Sequence, residues 1–354
     1  MLEKLFSLLT YDVGIDLGTA NTLVHVRGKG IVIREPSVVA RHRKTKEILA
    51  IGASAKKMEG RTPQLIETVR PLKDGVIADF DATAAMLDYF IGKIHERPSG
   101  AKNISLFPKI PRPRVVVGIP SGVTEVERRA VVDAAVTAGA RKAYLIEEPM
   151  AAAIGAGLPV EEASGVFIVD MGGGTTEIAL ISLGGIVLNK GLRVAGDELD
   201  EAIVSYMRTR YGLLLGRGSA EEVKMNIGSA SDMDVEKSAV VRGRDLETGL
   251  PKSLKVTSGE IREALMPILQ QIISRIAETL ESAPPELVAD AMEKGIVLAG
   301  GGALISGLDR LISEHVKVPV WVCEDPLTAV VRGTARVLDN PGLLSKVRVT
   351  GGMR

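Results

Sequence analysis

Residues 13–24 read VGIDLGTANTLV, and residues 167–178 read FIVDMGGGTTEI. In each copy an apolar strand leads to an aspartate, an apolar residue, a glycine, a turn rich in glycine or threonine, and a second strand. A supersecondary unit that occurs twice in one chain predicts two related domains built on the same pattern.

Strand-like and helix-like segments alternate along the chain, and this alternation predicts an α/β fold. Two long periodic stretches, 124–138 and 258–281, predict helices, and both have the Thr-x-x-Glu spacing of a capping box at their start. Short apolar stretches predict strands at 12–16, 22–26, 114–119, 166–170, 177–182 and 296–299.

Glycine-rich turns follow the first strand in both copies, and a third such turn, LAGGGALISGL at 298–308, lies between a strand and a helix. Glycine has no Cβ to keep an anion away from backbone N–H groups, so such a turn can bind phosphate. Taken alone, Gly172, Gly173 and Gly174 are equally consistent with a plain hairpin. Two Asp-led copies and a third glycine turn together favour a nucleotide site.

Asp16 and Asp170 stand at the ends of the two repeated strands. Two carboxylates in such positions would repel each other unless a cation lay near them. Mg²⁺ prefers oxygen ligands and is often held by one or two carboxylates together with phosphates. Either aspartate alone could instead start a turn by bonding to its own backbone. As a matched pair, the two predict the metal ligands of a nucleotide site.

The composition is that of a globular protein without a charge bias. Lys+Arg and Asp+Glu are equal at 44 each in 354 residues, so no nucleic-acid partner is predicted. Cys323 is the only cysteine, which rules out an internal disulfide and favours a reducing cytoplasm. No apolar run is long enough to span a bilayer, and the N-terminus lacks the continuous apolar region of a signal peptide.

The glycine turns belong to a longer series of recognisable segments. These are GIDLGTANTLV (14–24), GKGIVIREPSVVA (28–40), RPLKDGVIADF (70–80), GIPSGVTEVERRAV (118–131), LIEEPMAAAIGAGLP (145–159), VDMGGGTTEIALISLGGIV (169–187), AGDELDEAIVSYM (195–207) and LAGGGALISGLD (298–309). Over nearly its whole length the chain is similar to the MreB family, within the actin, sugar kinase and heat-shock chaperone ATPase superfamily. Single glycine turns are typical of the superfamily, whereas DLGTANT, IEEPMAAAIG and AGDELDEAI together are typical of MreB-like proteins. Met171 stands where that family more usually has Ile.

The resemblance implies that ATP and Mg²⁺ are the ligands, with Asp16 and Asp170 serving the metal. It implies a first phosphate-binding turn formed by Asp16, Gly18, Thr19, Ala20 and Asn21, and a second formed by Asp170, Gly172, Gly173, Gly174 and Thr175. It places the following residues at the nucleoside: Glu221, Glu222, Val223 and Lys224 of AEEVK, and Gly300, Gly301, Gly302 and Ala303. Gly196 is a further predicted cofactor-binding residue.

ATP hydrolysis needs positioning and charge stabilisation more than covalent chemistry, and a carboxylate that orients water meets that need. The resemblance assigns this role to Glu148 of IEEP, assisted by Thr175, with Asp170 as a third catalytic residue. Glu125 and Glu127 also follow a strand end. The helix dipole accounts for acids in a first turn, and Glu127 completes a capping box, so these two are the weaker candidates.

Two apolar segments could meet a membrane surface. Residues 1–10 can form a short amphipathic helix, which either packs on the body of the protein or lies on a membrane. A basic, proline-rich stretch at 97–113 carries an apolar pair that either contacts a membrane or folds back onto the core. MreB-like proteins use both segments at the membrane, so the resemblance favours that role, with many weak anchors acting together. The predicted membrane residues are Leu2, Leu5, Phe6, Leu9, Leu106 and Phe107.

The resemblance further implies an actin-like fold of two related lobes, each with a mixed five-stranded sheet flanked by helices and a smaller subdomain. Residues 33–75 and 196–259 are predicted to be the smaller subdomains. The larger ones are predicted to comprise residues 1–32, 76–158 and 328–354 in the first lobe, and residues 159–195 and 260–327 in the second.

The function implied by the resemblance is that of a filament-forming ATPase. MreB-like proteins form double protofilaments that guide cell-wall synthesis and maintain rod shape. We therefore expect self-assembly, a cytoplasmic location at the inner face of the plasma membrane, and membrane proteins of the cell-wall elongation machinery as partners.

Three other functions are possible on such a fold. A small-molecule kinase is the main alternative, and phosphate transfer to an added acceptor would identify it. A chaperone ATPase would need a substrate-binding region after the nucleotide domains, for which the third glycine turn leaves little chain. A division scaffold without hydrolysis is disfavoured by the presence of Glu148 and Thr175.

Overall fold

The computed structural model describes residues 11–94 and 113–349. The described residues form two compact units: those up to Pro159 and from Thr328 onward make the first unit, and Val160–Leu327 make the second. Within the described ranges, no helix has the length and apolar character needed to cross a membrane. The six predicted membrane residues all lie outside the described residues.

The described part of the chain alternates strands and helices, numbered here in chain order. The strands are β1 (Val13–Leu17), β2 (Asn21–Val26), β3 (Gly30–Pro36), β4 (Val39–His42), β5 (Ile48–Ile51), β6 (Ile66–Val69), β7 (Leu72–Lys73), β8 (Val76–Ile77), β9 (Arg114–Ile119), β10 (Lys142–Glu147), β11 (Val166–Met171), β12 (Thr176–Ser182), β13 (Gly185–Leu192), β14 (Leu213–Leu214), β15 (Ser238–Asp245), β16 (Pro251–Thr257), β17 (Ile296–Ala299) and β18 (Val320–Val322). The helices are α1 (Ala53–Lys56), α2 (Phe80–Ile94), α3 (Glu125–Thr137), α4 (Glu148–Ala156), α5 (Gly196–Tyr211), α6 (Arg217–Ile227), α7 (Ser258–Glu281), α8 (Pro285–Lys294), α9 (Leu308–Val316), α10 (Ala329–Asp339) and α11 (Pro341–Val347).

The first unit is built around a mixed five-stranded sheet with the strand order β10-β9-β1-β2-β3. β1 pairs in parallel with β9 and antiparallel with β2. The odd-numbered side chains of β1, such as Ile15, are buried in one core with Met86 and Phe90 of α2. On the other face, a Cβ at Gly14 would come within 3.1 Å of Thr334 Cβ on α10, so glycine is what lets that helix approach.

Helices α4 and α10 contact each other through glycine. A Cβ at Gly155 would overlap the carbonyl oxygen of Ala329, and a Cβ at Gly333 would overlap that of Ala151. The two backbones can approach this closely only because both positions lack a side chain. Since α4 begins at Glu148, this contact helps to fix the position of that carboxylate.

A smaller sheet with the strand order β5-β4-β6 follows β3 in the chain, together with the short helix α1. Arg41 on β4 is buried and bonds to Glu67 at 2.8 Å and to Asp79 at 2.6 Å. The boundaries predicted for the smaller subdomains stay predictions in both lobes.

The second unit repeats the architecture of the first. Its five-stranded sheet has the order β13-β12-β11-β17-β18, and β11 pairs in parallel with β17 and antiparallel with β12. The predicted fold class, with a mixed five-stranded sheet in each lobe, is therefore confirmed. The internal sequence repeat corresponds to β1–β2 in one unit and to β11–β12 in the other.

Helices α5, α6 and α7 pack around the core of the second unit. The apolar face predicted for residues 258–281 is buried, with Ile261, Leu265 and Ile272 fully enclosed beside Leu199 and Ile203 of α5. Both predicted capping boxes are present, at the start of α3 and at the start of α7. Both could be predicted from the sequence because a capping box needs only residues that are close in the chain.

Candidate functional site

The first Asp-led turn comprises residues 18–21, between the cross-strand pair Leu17 and Thr22 at the end of the β1–β2 hairpin. Asp16 is half-buried near the end of β1. Thr19 is buried and Asn21 is exposed. The turn therefore lies at the carboxyl end of a central strand, where open α/β sheets commonly bind ligands.

Ser37 holds this turn from behind. Its hydroxyl donates to the carbonyl oxygen of Gly18 at 2.6 Å, and its backbone N–H donates to that of Ala20 at 3.0 Å. The Ser37 hydroxyl also lies 2.8 Å from the hydroxyl of Thr22, and both side chains are fully buried. Two carbonyl oxygens of the turn are thereby directed at Ser37, which reduces their repulsion of an anion on the opposite side.

Glu148 is the first residue of α4 and is 9% exposed. It lies close to the end of β9, where Gly118 pairs with Asp16 of β1. A Cβ at Gly118 would be 3.6 Å from Glu148 Cγ and 3.0 Å from Val330 Cγ1. The first unit therefore brings Glu148 near the strand end that carries Asp16. Burial raises the pKa of the preceding Glu147 carboxyl, while the charge of Arg128 opposes that shift.

The second Asp-led turn comprises residues 172–175, between the cross-strand pair Met171 and Thr176. The N–H of Gly172 donates to the carbonyl oxygen of Thr175 at 2.8 Å, which closes the turn. Asp170 is 7% exposed and lies opposite Glu177, which is 3% exposed. Burial, and secondarily the charge of Glu177, raises the pKa of Asp170 to about 7. A cation beside Asp170 would oppose both effects.

The start of α5 holds the second turn. The N–H of Gly196 donates to the carbonyl oxygen of Gly172 at 3.3 Å, and the N–H of Asp197 donates to that of Gly173 at 2.7 Å. The first N–H groups of a helix have no partner within the helix, so this contact satisfies both elements. As in the first unit, carbonyl oxygens of the turn are directed at a supporting element.

The third glycine turn packs against the end of β11, directly before the second turn. Gly300 follows β17 with φ +79° and ψ 174°, a conformation that only glycine adopts readily. A Cβ there would lie 2.6 Å from Asp170 Oδ1 and closer still to the carbonyl oxygen of Met171. Gly301 then begins a short 3-10 helix, and Gly302 and Ala303 are buried.

Helix α6 carries the AEEVK segment. Val223 is buried in the core, whereas Glu221 is partly exposed and Glu222 is exposed. The ammonium of Lys224 donates to the carbonyl oxygen of Gly196 at 2.7 Å and lies 2.7 Å from Asp200 Oδ1. Lys224 is therefore held against the start of α5.

Within each unit, predicted site residues lie close together or are joined by hydrogen bonds. The second unit joins its glycine turn, Gly196, Lys224 and the third turn, while the first joins its turn to the end of the strand near Glu148. Ser37 and Asp200 were not predicted. A buried serine after a strand and an acid in the first turns of a helix are both common, so neither gives a clear signal in the sequence.

The chain is similar to one well-defined group of known proteins. The model of the MreB/Mbl protein family matches residues 10–346. Over 343 residues the chain is 51% identical to the cell shape-determining protein MreB of Escherichia coli strain K12, covering 96% of each chain.

Comparison with solved structures also finds MreB proteins. The fold is similar to that of MreB5 of Spiroplasma citri bound to ADP, with a TM-score of 0.86, 39% identity, and coverage of 94% of this chain and 97% of that one. For the same protein bound to AMPPNP the TM-score is 0.85. The MamK double helical filament aligns with a TM-score of 0.76 at 22% identity, covering 93% of this chain and 99% of that one, which shows a shared fold alone.

Proposed function

This chain belongs to the MreB/Mbl family, and on that premise we propose that it binds and hydrolyses ATP and forms membrane-associated filaments that direct cell-wall synthesis and maintain rod shape. The observation that carries the proposal is the matched pair of turns. In each unit an Asp-led turn at a strand end has two carbonyl oxygens held by a supporting element. That arrangement is suited to phosphate binding through the backbone.

ATP is the proposed nucleotide. MreB5 of Spiroplasma citri, which is 39% identical to this chain, has been solved with ADP and with AMPPNP, which are adenine nucleotides. Residues 18–21 and 172–175 would bind phosphate groups, and α6 and the third glycine turn would contact the nucleoside. Substituting glycine in either phosphate turn would crowd it: a Cβ at Gly18 would lie 2.7 Å from Asn21 O, and one at Gly172 would lie 3.3 Å from Thr175 O.

Mg²⁺ fits the donor set. Asp16 and Asp170 both offer carboxylate oxygens, the ligand type that this ion prefers. The carboxyl of Asp170 is buried beside Glu177, an environment in which a nearby cation compensates negative charge. When bound, the metal would neutralise phosphate charge.

Hydrolysis would depend on Glu148 and Thr175. Glu148 would orient a water molecule and accept its proton, and the hydroxyl of Thr175 would assist in holding that water. Both residues are 9% exposed. A carboxylate at a helix start, in a mostly dry environment, is restricted to few positions and is therefore suited to orienting one water.

Assembly and membrane attachment complete the proposal. MamK, whose fold this chain shares, forms a double helical filament, and we propose that copies of this chain assemble in a comparable way. Attachment to the inner face of the plasma membrane would use Leu2, Leu5, Phe6, Leu9, Leu106 and Phe107. Many weak anchors on one filament would bind more firmly than one anchor alone. Membrane proteins of the cell-wall elongation machinery are the proposed partners.

Phosphate release from ATP tests the enzymatic part. Glu148→Ala should slow release about 100-fold because the water loses its general base, with the affinity for ATP changed less than about threefold. Glu125→Ala is the matched control, since this exposed acid lies in the first turn of α3 and should leave turnover unchanged. Normal turnover in Glu148→Ala would remove the catalytic assignment.

A further inference from the structure

An ion pair between α5 and α6 is buried beside the second glycine turn. Lys224 Nζ lies 2.7 Å from Asp200 Oδ1 and 2.7 Å from the carbonyl oxygen of Gly196. The side chains of Asp200 and Lys224 are 5% and 13% exposed. The ammonium therefore contacts two oxygen atoms of α5: it donates a hydrogen bond to the carbonyl oxygen and forms an ion pair with the carboxylate.

The peptide group that joins Gly196 to Asp197 is engaged at both ends. Its carbonyl oxygen accepts from Lys224, and its N–H donates to the carbonyl oxygen of Gly173 at 2.7 Å. A cation on the oxygen of an amide polarises the group and makes its N–H a stronger donor. Lys224 therefore reinforces the hydrogen bond that holds the second turn.

Stability alone is a poor explanation for this ion pair. Burying two charges costs several kcal/mol each, and apolar residues of similar size are often at least as stabilising. Burial raises the pKa of Asp200 even though Lys224 opposes that shift, so the pair does not fully compensate the desolvation of the carboxylate. What the pair does provide is a fixed position for the ammonium.

We propose that Asp200 is a positioning residue for nucleotide binding. It holds the ammonium of Lys224 on the Gly196–Asp197 peptide and thereby orients the second phosphate-binding turn. The inference rests on the proposed function, in which this turn binds phosphate and α6 contacts adenosine. The ligand class is an adenosine nucleotide with phosphate groups, and the phosphate part of the binding energy is what Asp200 supports.

A double-mutant cycle tests whether Asp200 acts through Lys224. The variants are Asp200→Asn, Lys224→Met and the two together, and the probe is AMPPNP with Mg²⁺, titrated by calorimetry. Each single substitution should weaken binding about tenfold, and the double variant should also lose about tenfold, because the second change removes nothing further. A double loss of about 100-fold would show independent roles and overturn the inference, as would Asp200→Asn binding within twofold of the wild type.

A similar ion pair at the carboxyl-terminal end of α5 offers a matched control for Asp200→Asn. There Lys252 Nζ lies 2.7 Å from Asp245 Oδ2 and donates to the carbonyl oxygen of Tyr211 at 3.1 Å, so the same arrangement occurs away from the glycine turn. Asp245→Asn should leave the AMPPNP affinity within twofold of the wild type. An equal loss in Asp245→Asn and Asp200→Asn would mean that general loosening explains both, and would also overturn the inference.

Adenosine as a second probe separates positioning from folding. Asp200→Asn should reduce the ratio of AMPPNP affinity to adenosine affinity about tenfold, whereas a merely less stable protein loses both affinities by the same factor.

Should Asp200→Asn fail to fold, the double variant Asp200→Leu with Lys224→Met, which buries no charge, replaces it. Wild-type affinity in that folded variant would contradict the inference. If the wild type itself took up no AMPPNP, the proposed function would fail rather than this role of Asp200.

Discussion

The two Asp-led turns share one form but are held differently. The first, residues 18–21, is supported by a single residue, Ser37, through its hydroxyl and its N–H. The second, residues 172–175, is supported by two backbone N–H groups at the start of α5. In both turns, two carbonyl oxygens are directed at the supporting element, which is the orientation that the proposed phosphate binding through backbone N–H groups would need.

Their electrostatic surroundings also differ. Asp16 is half-buried and lies opposite Leu23, whereas Asp170 is buried and lies opposite Glu177. Burial therefore raises the pKa of Asp170 to about 7, with Glu177 adding to the effect. The second turn adjoins two buried carboxyl groups and is more tightly enclosed, so substitutions next to it should lower the free energy of unfolding more than those next to the first.

Alanine substitution of a glycine beside each turn should give the largest difference in stability between the two units. Gly300→Ala forces a residue with a Cβ into a glycine-only conformation and against Met171 and Asp170, so the free energy of unfolding should fall by about 4 kcal/mol. Gly118→Ala, which changes the residue paired with Asp16 in the first unit, meets Val330 Cγ1 at 3.0 Å and should cost about 1 kcal/mol. Urea denaturation of both variants measures this, and equal losses would contradict the contrast between the turns.

Loss of the Ser37 hydroxyl should have the next largest effect. Ser37→Ala leaves the carbonyl oxygen of Gly18 without this donor, so stability should fall by about 1–2 kcal/mol and the affinity for ATP about tenfold. Thr83→Val is the control, because Thr83 is equally buried and its hydroxyl donates to the carbonyl oxygen of Asp79 at 2.8 Å. We expect a similar stability loss there, with ATP affinity unchanged. If both variants bound ATP equally well, Ser37 would have only a structural role.

The backbone support of the second turn can be tested with proline. Asp197→Pro removes the N–H that donates to Gly173, and proline is tolerated in the first turn of a helix. Asp197→Ala keeps the N–H and removes the side chain together with its partly exposed ion pair to Arg217, so it is the control for loss of the carboxylate. We expect ATP affinity to be about threefold to fivefold lower in the proline variant than in the alanine variant, measured by calorimetry. Identical affinities would mean that this hydrogen bond does not position the turn.

Much of the fold could be predicted from the sequence because its signals are local. The repeated Asp-led hairpins lie on the predicted strands, with bounds shifted by a residue, as at β1. Both Thr-x-x-Glu capping boxes formed, and the apolar periodicity of residues 258–281 gave the bounds of α7. In each case the residues that interact are neighbours in the chain.

The supports of the turns could not be predicted because they join distant residues. Ser37 reaches Gly18 only after β2 and β3 have paired, and nothing in the segment EPSVV indicates that partner. Lys224 was predicted from the family resemblance to contact adenosine. Its bonds to Asp200 and Gly196 depend on how α6 packs against α5, which no sequence spacing specifies.

In the proposed function, each Asp-led turn binds phosphate groups of magnesium-bound ATP. Calorimetric titration of the wild type, Asp16→Asn and Asp170→Asn with ATP, each with Mg²⁺ and with EDTA, tests it directly. We predict that the wild type takes up ATP and loses at least about tenfold in affinity when Mg²⁺ is removed, and that either substitution causes a comparable loss and abolishes the dependence on Mg²⁺. No uptake of ATP by the wild type in the presence of Mg²⁺, or wild-type affinity in both variants, would contradict the claim.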